Sequence, residues 1–473
     1  MATRAPRRNK KPVIETYEVV VIGGGSAGLA AAESARAAGA KKVCLVEHGM
    51  LGGECPVWAC VPTKSLLRSA KLYYQAKHSL PQFGIRPGRV QFSLPAIIKR
   101  KNAVVQAITG GGEKMAEHAK RRGITVRRGN ASFANAKTLD VGDLRLRAQS
   151  FVIATGSKEV VLDIPGIEEI RPWYSRELVS LERLPASVVL IGGGPVGCEF
   201  ATFFALLGVP TTIVEAGAHL LPREDVEIAA LVEANLKRQG VRIMTRTTAL
   251  ACKKNGRGVL LTVQTGRRPR QALSAEVLAV TIGRRPNIDG LALERAGIRR
   301  DERGSIVSGK TCASSVAHIF VAGDARGGMQ FTHLAHYEGS IAGWNAALRG
   351  SQRTLADTDL RVVPRVTFVE PEVASVGLTP AMAKRQKLAH VVYRFPVGAL
   401  GRAAVDGGRE GLLKVVVSKT DNTVLGAHLV GERAGEVIHE LALAIHAQIP
   451  FNEVQKMMHA YPTWSESIPA AFI

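Results

Sequence analysis

Residues Tyr17–Glu47 read YEVVVIGGGSAGLAAAESARAAGAKKVCLVE, and their pattern decides the fold. A run rich in β-branched residues ends at Ile22. Gly23, Gly25 and Gly28 follow in the spacing GxGxxG, an alanine-rich helical stretch stops at Gly39, and a second apolar run ends on Glu47. In a strand–turn–helix, such glycines permit a tight turn and close backbone approach, and the free N–H groups at the helix start suit a pyrophosphate. A carboxylate closing the second strand accepts hydrogen bonds from a ribose hydroxyl pair. A lone GxGxxG says little; with both strands, the helix and the terminal carboxylate present, it specifies a dinucleotide cradle.

The device returns at Ser187–Ala216, SVVLIGGGPVGCEFATFFALLGVPTTIVEA, with Gly192, Gly194 and Gly197 after the strand and Glu215 ending the next one. Two cradles in one chain imply a relay between two dinucleotides. A 2′-phosphate would want arginine at the end of the second strand, whereas a free 2′-hydroxyl pairs with a carboxylate. Glu215 followed by Ala216 points to NADH, and Arg223 a little further on leaves room for NADPH.

The chain of 473 residues is long enough for two or three domains, and 46% of it is hydrophobic. Its longest apolar stretch is the second cradle, interrupted by glycines, a proline and Glu199, so it reads as strand, turn and helix rather than a membrane span. MATRAPRRNKKP lacks an apolar segment behind its basic residues and is not a secretory signal. Six scattered cysteines do not make a disulfide-stapled secreted fold, so an intracellular, cytoplasmic setting is expected. The 63 Lys and Arg outnumber 40 Asp and Glu, for a net charge of +23. Arginines are spread along the body without a stacking-aromatic motif. That favours a basic disordered arm over residues 1–16 and an arginine-rich composition over nucleic acid as a partner.

Residues 52–64, GGECPVWACVPTK, place Cys55 and Cys60 five positions apart. Such a pair in an intracellular chain is catalytic or metal-binding more often than structural. In a regular helix their Cα atoms would stand about 8–9 Å apart, while a disulfide needs about 4.4–6.8 Å. The two can bond only where the backbone between them leaves the helix, which Pro56 and Pro62 favour. Spacing alone leaves two unrelated cysteines as the alternative.

With these residues in view, the sequence resembles the class I flavoprotein (pyridine nucleotide) disulfide oxidoreductases, which include lipoamide dehydrogenase, glutathione reductase and mercuric reductase. IATGS (Ile153–Ser157), TIGRRPN (Thr281–Asn287) and IFVAGDA (Ile319–Ala325) resemble the segments where that family's chain leaves and re-enters its FAD domain. PRVTFVEPEVASVGLT and VLGAHLVGERAGEVI resemble its dimerisation domain. The resemblance implies an α/β fold with two Rossmann-like domains, for FAD and NAD(P), and a C-terminal α+β dimerisation domain. The FAD-binding domain would take residues 17–157 and 282–355, the NAD(P)-binding domain 158–281 and the dimerisation domain 356–473. FAD would be held by Gly23, Gly25, Gly28, Glu47, Thr155, Gly156 and Asp324, and the nicotinamide cofactor by Gly192, Gly194, Gly197, Glu215 and Gly283. Cys60 would be the flavin-side thiol and Cys55 the interchange thiol. Lys64 would lie near flavin N5 and pair with Glu199, favouring the reduced flavin and lowering a nearby thiol pKa. The remaining cysteines, Cys44, Cys198, Cys252 and Cys312, read as small buried hydrophobes.

The match departs at the C-terminus. Disulfide-reducing members carry His-x-His-Pro-Thr-x-x-Glu, in which the second histidine serves the partner's interchange thiol across the homodimer. Here the chain reads HAYPTWSE, with Tyr461 in the histidine position, Glu466 retained and His459 before them. A histidine with pKa near 6.5 exchanges protons at neutral pH; a tyrosine near 10 does so poorly. Mercuric reductase shares the tyrosine, since its substrate is a metal held by thiolates. This chain has neither that enzyme's N-terminal metal-binding cysteines nor its C-terminal cysteine pair. The expected function is transfer of electrons from NAD(P)H through FAD to Cys55 and Cys60, and on to a small-molecule acceptor. That acceptor would be a thiol-bound metal, with the two cysteines as its only expected ligands, or a disulfide. Dihydrolipoamide dehydrogenase and an NADH-dependent reductase of quinones or oxygen are the alternatives. A basic nucleic-acid-associated flavoprotein is the alternative of another class.

Overall fold

The computed structural model describes residues 13–350, 352–408 and 410–472. The chain forms two compact units. The first comprises the described residues up to Val57 with Val105–Glu159 and Arg284–Asp359, and the second comprises Trp58–Val104, Val160–Gly283 and the described residues from Leu360 on.

In the first unit the strands Ile124–Arg128, Val43–Glu47, Val13–Ile22, Leu144–Ile153, Thr138–Val141 and Ala131–Asn135 lie side by side in that order. Ile319–Val321 also pairs with Leu144–Ile153. Val13–Ile22 runs parallel to both of its neighbours, and its side chains are buried in alternation on two faces, Val20 and Ile22 in one core, Val19 and Val21 in the other. The helix Ser26–Ala37 covers one face. Its alanines make it thin, and Thr332–Leu348 packs against it so closely that a Cβ on Gly339 would sit 2.2 Å from Ala27 O, and one on Gly343 2.0 Å from Ala31 O. The basic arm expected over residues 1–16 is shorter than that. Val13–Thr16 belong to the first strand, because Leu144–Ile153 extends far enough to pair with them; residues 1–12 lie outside the described residues.

In the second unit a parallel sheet runs Arg242–Met244, Thr211–Val214, Val188–Ile191, Val277–Val280. An antiparallel sheet of Thr247–Asn255, Gly258–Thr265 and Gln271–Ala275 accompanies it. A five-stranded antiparallel sheet is built from the chain after Leu360, in the order Arg365–Thr367, Glu372–Gly377, Val424–Gly431, Leu412–Ser418, His390–Phe395. The helix Cys60–His78 is placed in this unit by its apolar face, since Leu66, Leu67 and Ala70 share a core with Phe200, Phe203 and Phe204 of the helix Pro195–Leu206. No helix among the described residues is long and apolar enough to cross a membrane.

A buried ionic cluster ties the five-stranded sheet to the helix Val226–Arg238. Asp225 caps that helix, accepting from Glu227 N at 3.0 Å, and accepts from Lys414 Nζ at 2.7 Å; Lys414 is only 3% exposed. Burial works against ionisation of Asp225, yet the Lys414 ammonium holds its carboxyl below the usual range. Beside it His428 is fully buried, with Nε2 3.1 Å from Leu378 O and Nδ1 lacking a partner among the described residues. Burial drives its pKa down; Glu224 and Asp225 pull the other way and Arg365 adds to the lowering. Below about pH 6.5 the unfolded chain therefore takes a proton that the folded one refuses, and stability falls as pH drops, by at most about 1.4 kcal/mol per pH unit. His428→Gln, which retains a donor, should flatten the decline in denaturant midpoint between pH 6.5 and 5; an unchanged slope would remove His428 from the account.

Candidate functional site

The first glycine turn closes on backbone. Gly23 has φ +104°, and a Cβ on Gly28 would stand 1.7 Å from Gly23 O. Gly25 begins the helix Ser26–Ala37 without a side-chain cap, which leaves its first N–H groups for a ligand. Glu47 spans the turn, Oε2 accepting from Gly24 N and Oε1 from Gly49 N, both at 2.6 Å. In the same unit Thr155 Oγ1 is buried without a partner among the described residues, and Gly156 follows with φ +73°. Burial raises the Asp324 carboxyl, which accepts from Ser157 Oγ at 2.6 Å. Ser157 Oγ in turn accepts from Arg284 Nε at 2.7 Å, while Arg284 also holds Ser157 O and the carboxylate of Glu54. A bare helix start, an orphaned hydroxyl and a buried carboxylate in one unit suit a dinucleotide with polyol hydroxyls, as FAD is.

The second cradle, in the other unit, repeats the first. Gly192 has φ +109°, a Cβ on Gly197 would stand 2.0 Å from Gly192 O, and Gly194 starts the helix Pro195–Leu206 without a side-chain cap. Glu215 accepts from Gly193 N at 2.6 Å and Gly217 N at 2.5 Å. Thr281 Oγ1 donates toward Ile191 O and Gly192 O, each at 3.0 Å, and Gly283 follows with φ +120°.

Cys55 lies on the short helix Glu54–Trp58, and Cys60 is the first residue of Cys60–His78. Between them Ala59 takes φ −124° and ψ −100°, so the chain leaves the helix there, the condition under which a pair at this spacing can bond. Both cysteines are half-buried. Cys44, Cys198, Cys252 and Cys312 are buried, and burial pushes their thiols up, to about 12 for Cys44 and Cys312. Inert thiols result.

Four residues beyond Cys60, Lys64 Nζ meets Glu199 Oε1 at 2.9 Å and Oε2 at 2.7 Å. Glu199 is 3% exposed, so the pair is one-sided: a buried anion with a cation reaching outward. At the C-terminus Tyr461 is 78% exposed, its Oη over Gly401, where a Cβ would lie 2.7 Å from it. Glu466 accepts from Thr463 N at 2.8 Å. His459 has Nδ1 2.9 Å from Met457 O and Nε2 2.8 Å from Glu440 Oε1. Among the described residues no three His, Cys, Asp or Glu side chains gather as a metal site.

The structure thus gathers Gly23, Gly25, Gly28, Glu47, Thr155, Gly156 and Asp324 in one unit, and Gly192, Gly194, Gly197, Glu215 and Gly283 in the other with Lys64, Glu199, Tyr461 and Glu466. Sequence reasoning missed Ser157, Arg284 and Glu54 as members of one hydrogen-bonded chain to Asp324. The available signal was their adjacency to residues already singled out, Gly156, Gly283 and Cys55.

The family model for pyridine nucleotide-disulphide oxidoreductases matches residues 17–339, and that for the family's dimerisation domain matches 363–472. The dihydrolipoyl dehydrogenase of Geobacillus stearothermophilus is 35% identical over 461 residues, spanning 96% of this chain and 94% of that protein. Mitochondrial dihydrolipoyl dehydrogenase 1 of Arabidopsis thaliana is 33% identical over 463 residues, 96% of this chain and 89% of that one. Among solved structures, the HOCl-induced flavoprotein disulfide reductase RclA from Escherichia coli superposes with a TM-score of 0.83 at 30% identity, covering 96% of this chain and 99% of its own. LpdA from Mycobacterium tuberculosis gives 0.85 at 26% identity, with 96% and 98% covered.

The two cradles make separable demands. Gly28→Ala should purify without flavin absorbance, because its Cβ would displace the turn. Gly197→Ala should stay yellow but need at least about tenfold more NADH for half-maximal flavin reduction. Equal cofactor binding by both variants and the wild type would contradict the assignment of the turns.

Proposed function

The chain belongs to the pyridine nucleotide-disulphide oxidoreductase family, an FAD- and NAD(P)H-dependent enzyme with a dimerisation domain, and we propose that its thiol pair serves an acceptor that needs no acid–base histidine. FAD, when bound, would supply acceptance of a hydride from reduced nicotinamide and two-electron reduction of a disulfide. Gly23, Gly25, Gly28 and Glu47 hold its adenosine half, and Thr155, Gly156 and Asp324 the flavin half. Gly192, Gly194, Gly197, Glu215 and Gly283 hold NADH. On the family's pattern Cys60 would be the flavin-side thiol and Cys55 the thiol that attacks the acceptor, with Lys64, paired to Glu199, as that pattern's cation. The Cys55–Cys60 dithiol would then be oxidised to the disulfide as its two electrons pass to thiol-bound metal, one two-electron ion or two one-electron ions, within the cytoplasm.

One observation carries this reading: both ring nitrogens of His459 are engaged and Glu466 accepts from Thr463 N, while the family's histidine position holds Tyr461. No histidine of that segment is left to protonate a leaving thiolate. A soft metal between sulfurs needs no such donor. RclA, similar along nearly the whole chain, has been solved as a Cu(II) complex, which supports a metal acceptor here. Dihydrolipoamide dehydrogenase is the second reading, favoured by the names of the similar curated proteins.

Three measurements test the proposal, and the third separates the two readings. Anaerobic NADH should give a long-wavelength charge-transfer band; Cys60→Ser should lose it with FAD still bound, and Cys55→Ser should show it without NADH. Wild-type behaviour of both variants would make the thiols bystanders. NADH should be used more efficiently than NADPH, and Glu215→Arg should narrow or reverse the ratio; a wild-type preference for NADPH would remove Glu215 as the determinant. Wild type should turn over lipoamide slowly and mercury(II) held by small thiols quickly. Tyr461→His should raise lipoamide turnover toward the 10²–10⁴-fold that general acid–base catalysis typically contributes. Fast wild-type lipoamide reduction, undiminished in Tyr461→Phe, would establish the second reading instead.

A further inference from the structure

Phe368 follows the strand Arg365–Thr367 and touches both members of the Lys64–Glu199 pair. Its backbone N–H donates to Glu199 Oε1 at 3.1 Å, and Lys64 Nζ lies 4.7 Å from the centroid of its ring. One residue thus meets the anion through its main chain and the cation through its π face. The ammonium has three N–H donors. The two Glu199 oxygens fix it from one side, the negative face of the ring attracts it from another, and the charge is directed outward between them. Any residue at 368 except proline would supply the amide; only an aromatic one supplies the second hold.

We propose that Phe368 is a positioning residue, which holds the Lys64 ammonium by a cation–π contact in the orientation that stabilises reduced flavin. The proposal rests on the reading of Lys64 given above and extends it to a side chain more than three hundred positions away. The competing view is that Phe368 only fills space, since it also packs against the core that contains Val369 and Phe200. The two differ in what Phe368→Leu does. Leucine keeps the amide and most of the apolar volume but has no π face.

A contact of this kind contributes about 0.5–2 kcal/mol, which corresponds to roughly a 2- to 30-fold change. On this proposal Phe368→Leu retains FAD and melts within a few degrees of wild type. Flavin reduction by NADH slows by that factor, and the two-electron flavin potential falls by about 10–45 mV. Phe368→Tyr restores both values. In a double-mutant cycle with Lys64→Met, replacing Phe368 has no further effect on the potential, because the cation it holds is gone. If Phe368→Leu fails to fold, Phe368→Met takes its place in the cycle.

A flavin potential in Phe368→Leu equal to wild type, with Lys64→Met clearly lowered, would overturn the proposal and leave the reading of Lys64 standing. A potential unmoved by Lys64→Met itself would overturn both. Equal effects of Phe368→Leu in the wild-type and Lys64→Met backgrounds would show a packing role and overturn the proposal alone.

Discussion

The structure depends on how closely a helix can approach the turn that precedes it. In both cradles the fifth residue after the turn's first glycine would, with any side chain, drive a carbon to within about 2 Å of that glycine's carbonyl oxygen, as Gly28 over Gly23 O and Gly197 over Gly192 O show. Removing the side chain lets the helix start point its N–H groups past the sheet edge instead of being pushed aside. The repetition goes beyond the glycines. Gly24 N and Gly193 N each donate to the glutamate that ends the next strand, and Gly24 O and Gly193 O accept from Gly52 N and Leu221 N. Under each middle glycine lies a leucine, Leu51 or Leu220. Glu47 and Glu215 therefore brace the turns. A change at Glu215 would disturb turn geometry along with any effect on the proposed cofactor choice.

Several of the basic residues work inside the molecule as partners of carboxylates. Arg284 meets Glu54 and Ser157, Arg365 meets Glu224, Lys414 meets Asp225, and Arg326 meets Glu338, whose second oxygen accepts from Gly323 N beside Asp324. Burial raises the Glu338 carboxyl and Arg326 counters it, so the guanidinium keeps an anion where the Asp324 loop needs a backbone acceptor. Cations used this way organise loops around the cradles.

What was legible in the sequence follows from what is periodic. The cradles could be read because the strand alternation, the glycine spacing and the closing carboxylate all fall within thirty residues. The Lys64–Glu199 pair joins residues 135 positions apart and came only through family resemblance. Phe368 had no such guide, because an aromatic residue after a short strand looks like core. The arm was drawn too long for a related reason: VIET is polar enough to pass for a tail, and only the length of Leu144–Ile153 makes it a strand. Glu54 was invisible as well, since its partner Arg284 was one arginine among many until the fold brought the two together.

The C-terminal segment sets out the two requirements that bear on the proposed acceptor. A histidine that serves a thiol must present one nitrogen to the sulfur and exchange a proton through it, while the other nitrogen is held by an orienting acceptor. His459 meets acceptors on both sides, a backbone carbonyl at Nδ1 and the Glu440 carboxylate at Nε2. To reach a sulfur it would have to abandon one of them. Tyr461 is exposed, but a phenol is a poor proton shuttle at neutral pH. The two requirements, a suitable proton and a suitable position, fall on different residues. Chemistry that moves electrons through sulfur without moving a proton to a leaving group escapes both, and a metal ion passed between thiolates is that kind of substrate.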